Sequence, residues 1–505
     1  MSTRYRRLLV GTAATALLSF AGSWLFLSTP AVVTLAPVAG VCAALCCRRT
    51  VDSALAAAGG CLLGIGLSWA VPFAPWGSPQ TVPLEMAAAA AAAAAFGAGA
   101  AWLMRTAPRT VRPLVYAALA ITVAACWHSA LTMATRPLPD GGSPAAILSQ
   151  VPTIEPSTGD EELFLNVVDS LRKGQPYYPT FARALVEGGR ADQVLGSPVA
   201  IRQPIFFYGL ALLPRGGIWI VVAALCLATA AVVSAFILAK QYLRVPFALI
   251  AAVLVASYCA TIAFLPGIID AEPWTGMLGL VSLALLAVSR SSDTHRRGWA
   301  WAAAGVALAG TALRELGVAF VIIGLIASAL DSRDRAQRSW LPWASALLAA
   351  AVGFIAHVAA ARQGVLALGN IASALPPSGF TWWHPDGLGT LSAVIRMAGF
   401  LDVALPVAVI VAVAAVVGAA MAPHDRCMRF ALTAVTGGGW LALVVLRPPG
   451  AAESGLPPSY WIDVVLPSVL ACAPLALVLV PGARVSTPGL YVVEPSPRLT
   501  PMRAP

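Results

Sequence analysis

Three consecutive carboxylates, Asp160, Glu161 and Glu162, stand at the start of a stretch with helical spacing. The apolar residues that follow at intervals of three and four are Leu163, Phe164, Val167, Val168 and Leu171. This spacing predicts an amphipathic helix of about four turns, lying on a membrane surface beside the apolar segments of the chain. A carboxylate held at such a surface is suited to take a proton from a reacting hydroxyl group.

The three acids differ in how well a structural role accounts for them. Thr158 and Glu161 fit a capping box, in which each side chain satisfies a backbone N–H group of the other residue. Acids in this position also favour the positive end of the helix dipole. These effects explain Glu161 well, which leaves Asp160 and Glu162 as the candidate catalytic residues. Gly174, with a proline two residues later, predicts the end of the helix.

A pair of opposite charges interrupts a long apolar stretch in the sequence TALRELGVAF. Arg314 and Glu315 lie there at a depth where charges are costly and usually functional. The alternative is a mutual ion pair at the tip between two short helices. An arginine at the outer membrane boundary is also well suited to hold a lipid phosphate. Arg202, which precedes another apolar stretch, can reach the same outer surface or serve only as a solvated loop charge.

Three further acids stand near apolar segments. Asp270 and Glu272 share the short turn PGIIDAEPW, where they are either functional or ordinary solvated charges. Asp402 lies within an apolar segment, where it can pair with Arg396, six residues earlier, or line a cavity.

Aromatic and polar residues gather in the sequence GFTWWHPD. Trp383 and His384 are of the kind that stack on sugars and hydrogen-bond to them, although interfacial aromatics also serve as membrane anchors. The nine cysteines form no CxxC pair, so neither a zinc site nor a redox motif is indicated. No metal and no cofactor are predicted.

The composition predicts the setting of these residues. Of the 505 residues, 59% are hydrophobic and 11% are charged, and the mean hydropathy is +0.81. Soluble domains carry roughly 25% charged residues, so the chain is predicted to cross a membrane many times. The formal net charge is +10, but the arginines sit largely in short loops between apolar segments. They therefore indicate topology, and no nucleic-acid partner is expected.

The predicted fold is all-α, with about 14 transmembrane helices, because a span needs roughly 20 mainly apolar residues. The predicted spans lie near 8–28, 31–47, 53–73, 82–104, 112–134, 217–239, 245–266, 274–289, 298–312, 316–330, 340–361, 392–419, 430–446 and 461–480. Alternate loops carry the arginines, so the positive-inside rule places both termini in the cytoplasm. The long loop 136–215, which bears the amphipathic helix, is then outside. The tail 481–505 is predicted to be disordered and cytoplasmic.

In their order and common outer placement, these features resemble the GT-C superfamily of membrane glycosyltransferases. The closest similarity is to the dolichyl-phosphate-mannose mannosyltransferase and aminoarabinose-transferase-like branch. The first outer loop of that branch carries Asp-Glu, a nearby Tyr, then Gly and Pro-Tyr. The corresponding residues here are Asp160-Glu161, Phe164 in place of the Tyr, Gly174 and Pro176-Tyr177. Later matches are Asp270-Ala-Glu272, Arg314-Glu315 and Tyr460 before the Pro467 span.

The resemblance covers residues 112–480, and about five predicted spans precede the acidic loop where the family usually has one. Residues 1–111 are therefore predicted to be extra N-terminal transmembrane helices. The resemblance implies transfer of a sugar from a polyprenyl-phosphate donor to an envelope glycan, lipid or protein acceptor. The resemblance further implies that this reaction takes place on the outer face of the cell membrane, by a single displacement with inversion.

The resemblance also assigns roles to the candidate residues. Asp160 matches the family Asp and is the expected base, with Glu162 second; Arg314 and then Arg202 are expected to hold the donor phosphate. The residues expected to orient the substrates are Asp270, Glu272, Trp383, His384 and Tyr460. A transporter or flippase for a lipid-linked envelope intermediate is the alternative, and a non-catalytic scaffold in an envelope-building complex is a third interpretation.

Overall fold

The computed structural model describes residues 3–22, 31–47, 49–70, 83–135, 160–188, 201–264, 266–292, 295–330, 338–369, 393–398, 405–445, 460–480 and 483–485. Within these ranges the chain is helical, and the extended structure consists of an isolated pairing between Leu243 and Arg484. The prediction of an all-α protein is confirmed for this part of the chain.

The α-helices are numbered in chain order. They are α1 (Thr3–Ala21), α2 (Ala31–Cys47), α3 (Thr50–Ala70), α4 (Pro83–Thr106), α5 (Val111–Thr135), α6 (Asp160–Arg172), α7 (Tyr177–Glu187), α8 (Pro204–Leu212), α9 (Gly217–Lys240), α10 (Val245–Phe264), α11 (Ala271–Ser291), α12 (Arg296–Leu313), α13 (Val318–Leu330), α14 (Leu341–Leu366), α15 (Leu405–Met421), α16 (Arg426–Val445) and α17 (Leu466–Cys472). The 3₁₀ helices are Pro108–Thr110, Pro266–Ile269, Glu315–Gly317, Tyr460–Val464 and Ala473–Leu479. Residues 393–398 form a further short helix.

Seven helices in the described ranges are long and apolar enough to cross a membrane. Their apolar segments are Thr50–Leu67, Ala87–Thr106, Pro108–Thr135, Gly217–Lys240, Val245–Ala263, Ala271–Ser291 and Leu341–Leu366. The membrane character predicted from the composition is therefore confirmed. The full set of about 14 spans, the outer position of the loop 136–215 and the cytoplasmic position of both termini stay predictions.

One face of α14 exposes large apolar side chains. Leu348, Val352 and Ile355 follow one another at spacings of four and three residues, and each is largely exposed. A contiguous exposed stripe of large apolar side chains is stable only against an apolar solvent or an apolar partner. This face of α14 is thus suited to contact lipid chains.

Small residues allow the N-terminal helices to pack closely. A Cβ atom added at Gly60 of α3 would lie 2.6 Å from the Cβ of Thr15 in α1, so only glycine fits there without a shift. These N-terminal helices also contact the rest of the protein. The hydroxyl of Ser257 in α10 donates to the carbonyl of Ala21, 2.9 Å away. The helices before residue 111 therefore pack directly on the predicted core.

The helix predicted from the acidic cluster is α6, and it begins at Asp160 and ends at Arg172. Gly174 adopts φ +79°, the left-handed conformation that commonly ends helices, as predicted. All five apolar residues of the predicted face are buried. The Phe164 ring lies 5.2 Å from the Phe207 ring of α8 and 6.0 Å from the Phe181 ring of α7, measured between centroids. The apolar face therefore packs on protein, which corrects the predicted contact with a membrane surface.

The tail predicted to start at residue 481 is paired at its beginning. The backbone N–H of Arg244 donates to the Ala483 carbonyl, 2.9 Å away, and the N–H of Val485 donates to the Tyr242 carbonyl, 3.2 Å away. Residues 486–505 lie outside the described residues.

A close approach at Gly276 fixes α11 against the 3₁₀ helix Tyr460–Val464. A Cβ atom at this position would clash with the backbone oxygen of Asp463. We expect Gly276→Ala to lower the free energy of unfolding by about 1–3 kcal/mol, because overpacking forces the two segments apart. Unfolding in mixed detergent and SDS micelles measures this change. Gly298→Ala is the matched control, since its Cβ would meet no described atom within 4 Å. Equal stability of the two variants would contradict the close approach.

Candidate functional site

A carboxylate and two guanidinium groups meet at Glu272, in the first turn of α11. The Glu272 side chain is 1% exposed, and its Oε1 atom lies 2.8 Å from Nε of Arg314. The same Oε1 atom accepts a hydrogen bond from Nη1 of Arg202 at 3.4 Å. We call Arg202, Glu272, Arg314 and Glu315 the arginine–glutamate cluster. It joins three parts of the chain that are far apart in sequence.

The break between α12 and α13 delivers Arg314 to the cluster. Arg314 caps α12 with an extended backbone at φ −148° and ψ 128°, so its side chain leaves the direction of the helix. Its Nη1 atom lies 2.6 Å from Oε1 of Glu315, the residue that opens the following 3₁₀ helix. The mutual ion pair considered from the sequence is therefore present, and Arg314 forms a second ion pair with Glu272 in addition.

Hydrogen bonds between α11 and α12 set the register that brings Glu272 to Arg314. The Thr275 hydroxyl donates to the Gly310 carbonyl at 3.2 Å, and the Ser282 hydroxyl donates to the Ala303 carbonyl at 2.8 Å. Both bonds are buried, where an unsatisfied polar group would be costly. The start of α11 is consequently held beside the end of α12.

Charge balance makes the arginine–glutamate cluster tolerable in a buried setting. Two guanidinium groups face two carboxylates, and the side chains of Arg314 and Glu272 are only 4% and 1% exposed. The ion pair with Arg314 favours the charged form of the Glu315 carboxylate. Removal of any one member would leave a charge without compensation.

Arg202 is the most accessible cation of the cluster, and the acidic helix supports it. Its side chain is 15% exposed, compared with 4% for Arg314. Its guanidinium carbon lies 5.8 Å from the ring centroid of Phe164, within the range of a cation–π interaction. The Tyr177 hydroxyl donates to the Arg202 carbonyl at 2.8 Å. Phe164 therefore links the acidic helix α6 to the arginine–glutamate cluster.

A second buried ion pair lies near the cluster and has a different partner from the one considered from the sequence. Nη2 of Arg396, in the helix 393–398, lies 2.6 Å from Oδ2 of Asp463, whose side chain is fully buried. Asp270 interacts electrostatically with Arg396 from the residue before α11. Asp402, the candidate partner, lies outside the described residues. The signal that could have pointed to Asp463 is its own position within the predicted apolar span 461–480.

The structure describes only some of the side chains of the remaining candidate residues. Asp160 is the first residue of α6, but its side chain lies outside the described residues. Glu162 is half-buried one turn before Asn166, whose side-chain amide donates to the Glu162 carbonyl at 3.1 Å. Tyr460 opens a 3₁₀ helix, and its side chain is also outside the described residues.

Trp383 and His384 both fall in the range 370–392, outside the described residues. Among the residues that the structure does describe, no group of three or more His, Cys, Asp and Glu side chains is arranged to hold a metal ion.

No protein-family model matches the chain, and no match was found among curated proteins or solved structures. The inference of function therefore depends on the residues of the site and on their chemistry.

Proposed function

We propose that the protein is a membrane glycosyltransferase. It moves a sugar from a polyprenyl-phosphate donor to an envelope glycan, lipid or protein acceptor on the outer face of the membrane, with inversion in a single displacement. The observation that carries the proposal is the arginine–glutamate cluster, which holds two guanidinium groups at the ends of apolar helices. Guanidinium groups bind phosphate through charge-assisted hydrogen bonds, and apolar helices suit a polyprenyl chain.

Arg202 is the better of the two candidates for the donor phosphate, which reverses the order expected from the sequence. Arg314 is held between two carboxylates and is almost fully buried. The contact of Arg202 with Glu272 is the longer one, and the Arg202 side chain is the more exposed. In the reaction, the bond between the anomeric carbon and the phosphate oxygen breaks, and the phosphate keeps the electron pair. A cation beside this leaving group lowers the barrier because negative charge gathers there.

The proposal assigns the proton transfer to the acidic helix. The acceptor hydroxyl oxygen forms the new bond to the anomeric carbon, and its proton passes to a carboxylate within hydrogen-bond reach. Asp160 is the proposed base, with Glu162 as the second candidate. Asp270, Trp383, His384 and Tyr460 are the proposed substrate-orienting residues.

Glu272 receives a narrower role than the sequence assigned to it. Its carboxylate is already engaged by Arg314 and Arg202, so it is better suited to hold the two arginines than to bind a sugar hydroxyl group directly. In this role it keeps the guanidinium of Arg202 near the proposed phosphate site.

Replacement of Arg202 tests the phosphate site. We expect Arg202→Gln to weaken the binding of undecaprenyl phosphate about 10-fold to 100-fold, because hydrogen bonds to charged groups contribute roughly 1.5–3 kcal/mol. Arg202→Gln leaves one guanidinium facing two carboxylates and should lower the stability, but Glu272 and Glu315 both keep their ion pairs with Arg314, so the fold should persist. Fluorescence titration of the purified protein in nanodiscs measures the affinity.

Arg215→Gln is the matched control, because it removes the same charge from an exposed residue just before α9. Equal affinity of the two variants would exclude Arg202 from the phosphate site. The same nanodiscs, supplied with sugar-charged lipid and an envelope extract as acceptor, test the reaction. A transferase releases undecaprenyl phosphate and consumes the acceptor. A transporter, assayed in sealed vesicles, moves the lipid between leaflets with no loss of the sugar bond.

A further inference from the structure

A buried histidine in a membrane helix bridges two segments of the loop that carries the candidate site. His357 belongs to α14 and is 4% exposed. Its Nε2 atom lies 3.0 Å from the Ile201 carbonyl oxygen, and its Nδ1 atom lies 3.2 Å from the Tyr178 hydroxyl. His357 thus contacts both the segment just before Arg202 and the helix α7.

The partners fix which nitrogen of the ring carries the proton. A carbonyl oxygen can only accept, so Nε2 of His357 must donate to Ile201. In the neutral ring, Nδ1 then accepts a hydrogen bond from the Tyr178 hydroxyl. Both nitrogens are bonded to protein groups, so the orientation of the imidazole is fixed. The ring connects α14 to Ile201 and to Tyr178 of α7.

The bonds to His357 and Tyr177 act on consecutive carbonyl groups. His357 holds the carbonyl of Ile201, and the Tyr177 hydroxyl holds the carbonyl of Arg202. The first bond comes from α14 and the second from α7. Together they determine where the guanidinium of Arg202 can reach.

A close contact keeps α7 and α14 from sliding relative to each other. A Cβ atom added at Gly364 of α14 would lie 2.7 Å from the Cβ atom and from the backbone carbon of Tyr178. Only glycine allows this approach. The distance from α14 to the segment before Arg202 is therefore set by packing as well as by the hydrogen bonds of His357.

We propose that His357 is a positioning residue, which places Arg202 for the phosphate of a polyprenyl-phosphate lipid. This proposal rests on the proposed function. His357 does not touch the lipid; it acts through the Ile201 carbonyl and thus through the backbone of Arg202. Loss of its Nε2–H group releases this backbone and lets the guanidinium move away from its position beside Glu272.

The test measures the affinity of the full-length protein in phosphatidylcholine nanodiscs for undecaprenyl phosphate. We expect His357→Leu to weaken binding about tenfold, the loss of one well-placed charge-assisted contact. His357→Gln should stay within about threefold of the wild type, because its amide nitrogen can replace the Nε2–H donor to Ile201. In turnover assays, His357→Leu should raise the KM for the donor and also lower kcat, because a displaced Arg202 stabilises the leaving phosphate less well.

A double-mutant cycle separates positioning from general damage to the fold. If His357 acts through Arg202, His357→Leu should weaken binding no further in a protein that already carries Arg202→Gln. His128→Leu is the matched control, because it replaces an exposed histidine in the membrane helix α5. It should leave the affinity unchanged.

The outcomes distinguish failure of the proposed function from failure of the positioning role of His357. Absence of binding by the wild type would refute the proposed function. Binding by the wild type and by His357→Leu with equal affinity would refute only the role of His357, as would additive losses in the double variant.

Tyr178→Phe is a second variant that can be measured if His357→Leu does not fold, since it removes only the hydroxyl bonded to Nδ1. We expect Tyr178→Phe to lose less affinity than His357→Leu, because the bond from His357 to Ile201 remains. An equal loss in the two variants would show that the Ile201 bond does not determine the affinity.

Discussion

Glu272→Ala should lower the free energy of unfolding by about 3–5 kcal/mol, the usual cost when one partner of a buried ion pair is removed. The alanine leaves the guanidinium groups of Arg202 and Arg314 facing a single carboxylate, that of Glu315. The excess positive charge lies where water cannot solvate it, because the Arg314 side chain is 4% exposed. Unfolding in mixed detergent and SDS micelles measures the loss.

A second substitution at the same site tests whether charge balance is the cause. In Glu272→Ala combined with Arg314→Leu, one cation and one anion remain, so the charges balance again. The loss in the double variant should therefore be clearly smaller than the sum of the two single losses. Additive losses would show that the two side chains stabilise the fold independently.

An ion pair whose cation is exposed to solvent supplies the control for the Glu272 experiment. Lys173 and Asp169 lie one helical turn apart, with Nζ 2.5 Å from Oδ2; the side chain of Lys173 is 61% exposed and that of Asp169 is 12% exposed. Because water already solvates the lysine, Lys173→Ala should cost only about 0–1 kcal/mol. If Glu272→Ala cost no more than this, the buried cluster would not be a source of stability.

The sequence predicted the members of the arginine–glutamate cluster better than it predicted their pairing. Charges within apolar sequence are costly, and that single rule pointed to Arg314 and Glu315. Nothing in the local pattern shows that Glu272 lies 2.8 Å from Arg314, because the contact depends on the register between α11 and α12. That register is set by buried hydroxyl groups, whose partners cannot be recognised from spacing.

The ion pair of Arg396 shows the same limit of local sequence. Asp402 is near Arg396 in the chain, whereas Asp463, its partner, comes 67 residues later. Proximity in sequence is a useful guide within one helix, where residues three and four apart are neighbours. It gives no guidance across a bundle, where the packing of distant helices decides which charges meet.

The acidic helix shows what hydrophobic periodicity can and cannot predict. The spacing of its apolar residues predicted the helix, and Gly174 predicted its end. Periodicity does not reveal what covers the apolar face, because lipid and protein both accept such a surface. The answer came from the aromatic residues of α7 and α8, which pack around Phe164. This packing connects the proposed base to the proposed phosphate site.

Asp160→Asn should abolish sugar transfer, with a fall in kcat of about 10²-fold to 10⁴-fold, the range typical for loss of a positioned general base. Asparagine keeps the size and the hydrogen-bonding capacity of the side chain at the start of α6 but cannot take a proton at neutral pH. Expression, thermal stability and affinity for undecaprenyl phosphate should all persist, because Arg202 is unchanged. Product formation from a radiolabelled lipid-linked sugar measures the rate.

Substitutions of the neighbouring acids show which residue of α6 is the base. Glu161→Gln changes the residue expected to cap α6, so it should alter stability by no more than about 1 kcal/mol and leave the rate nearly intact. Glu162→Gln tests the second candidate, whose side chain is half-buried on the same helix. If Glu162→Gln abolished transfer while Asp160→Asn remained active, the base would be Glu162. If all three variants kept full activity, the proton would have to pass to a residue outside the first turn of α6, because that turn has no other carboxylate.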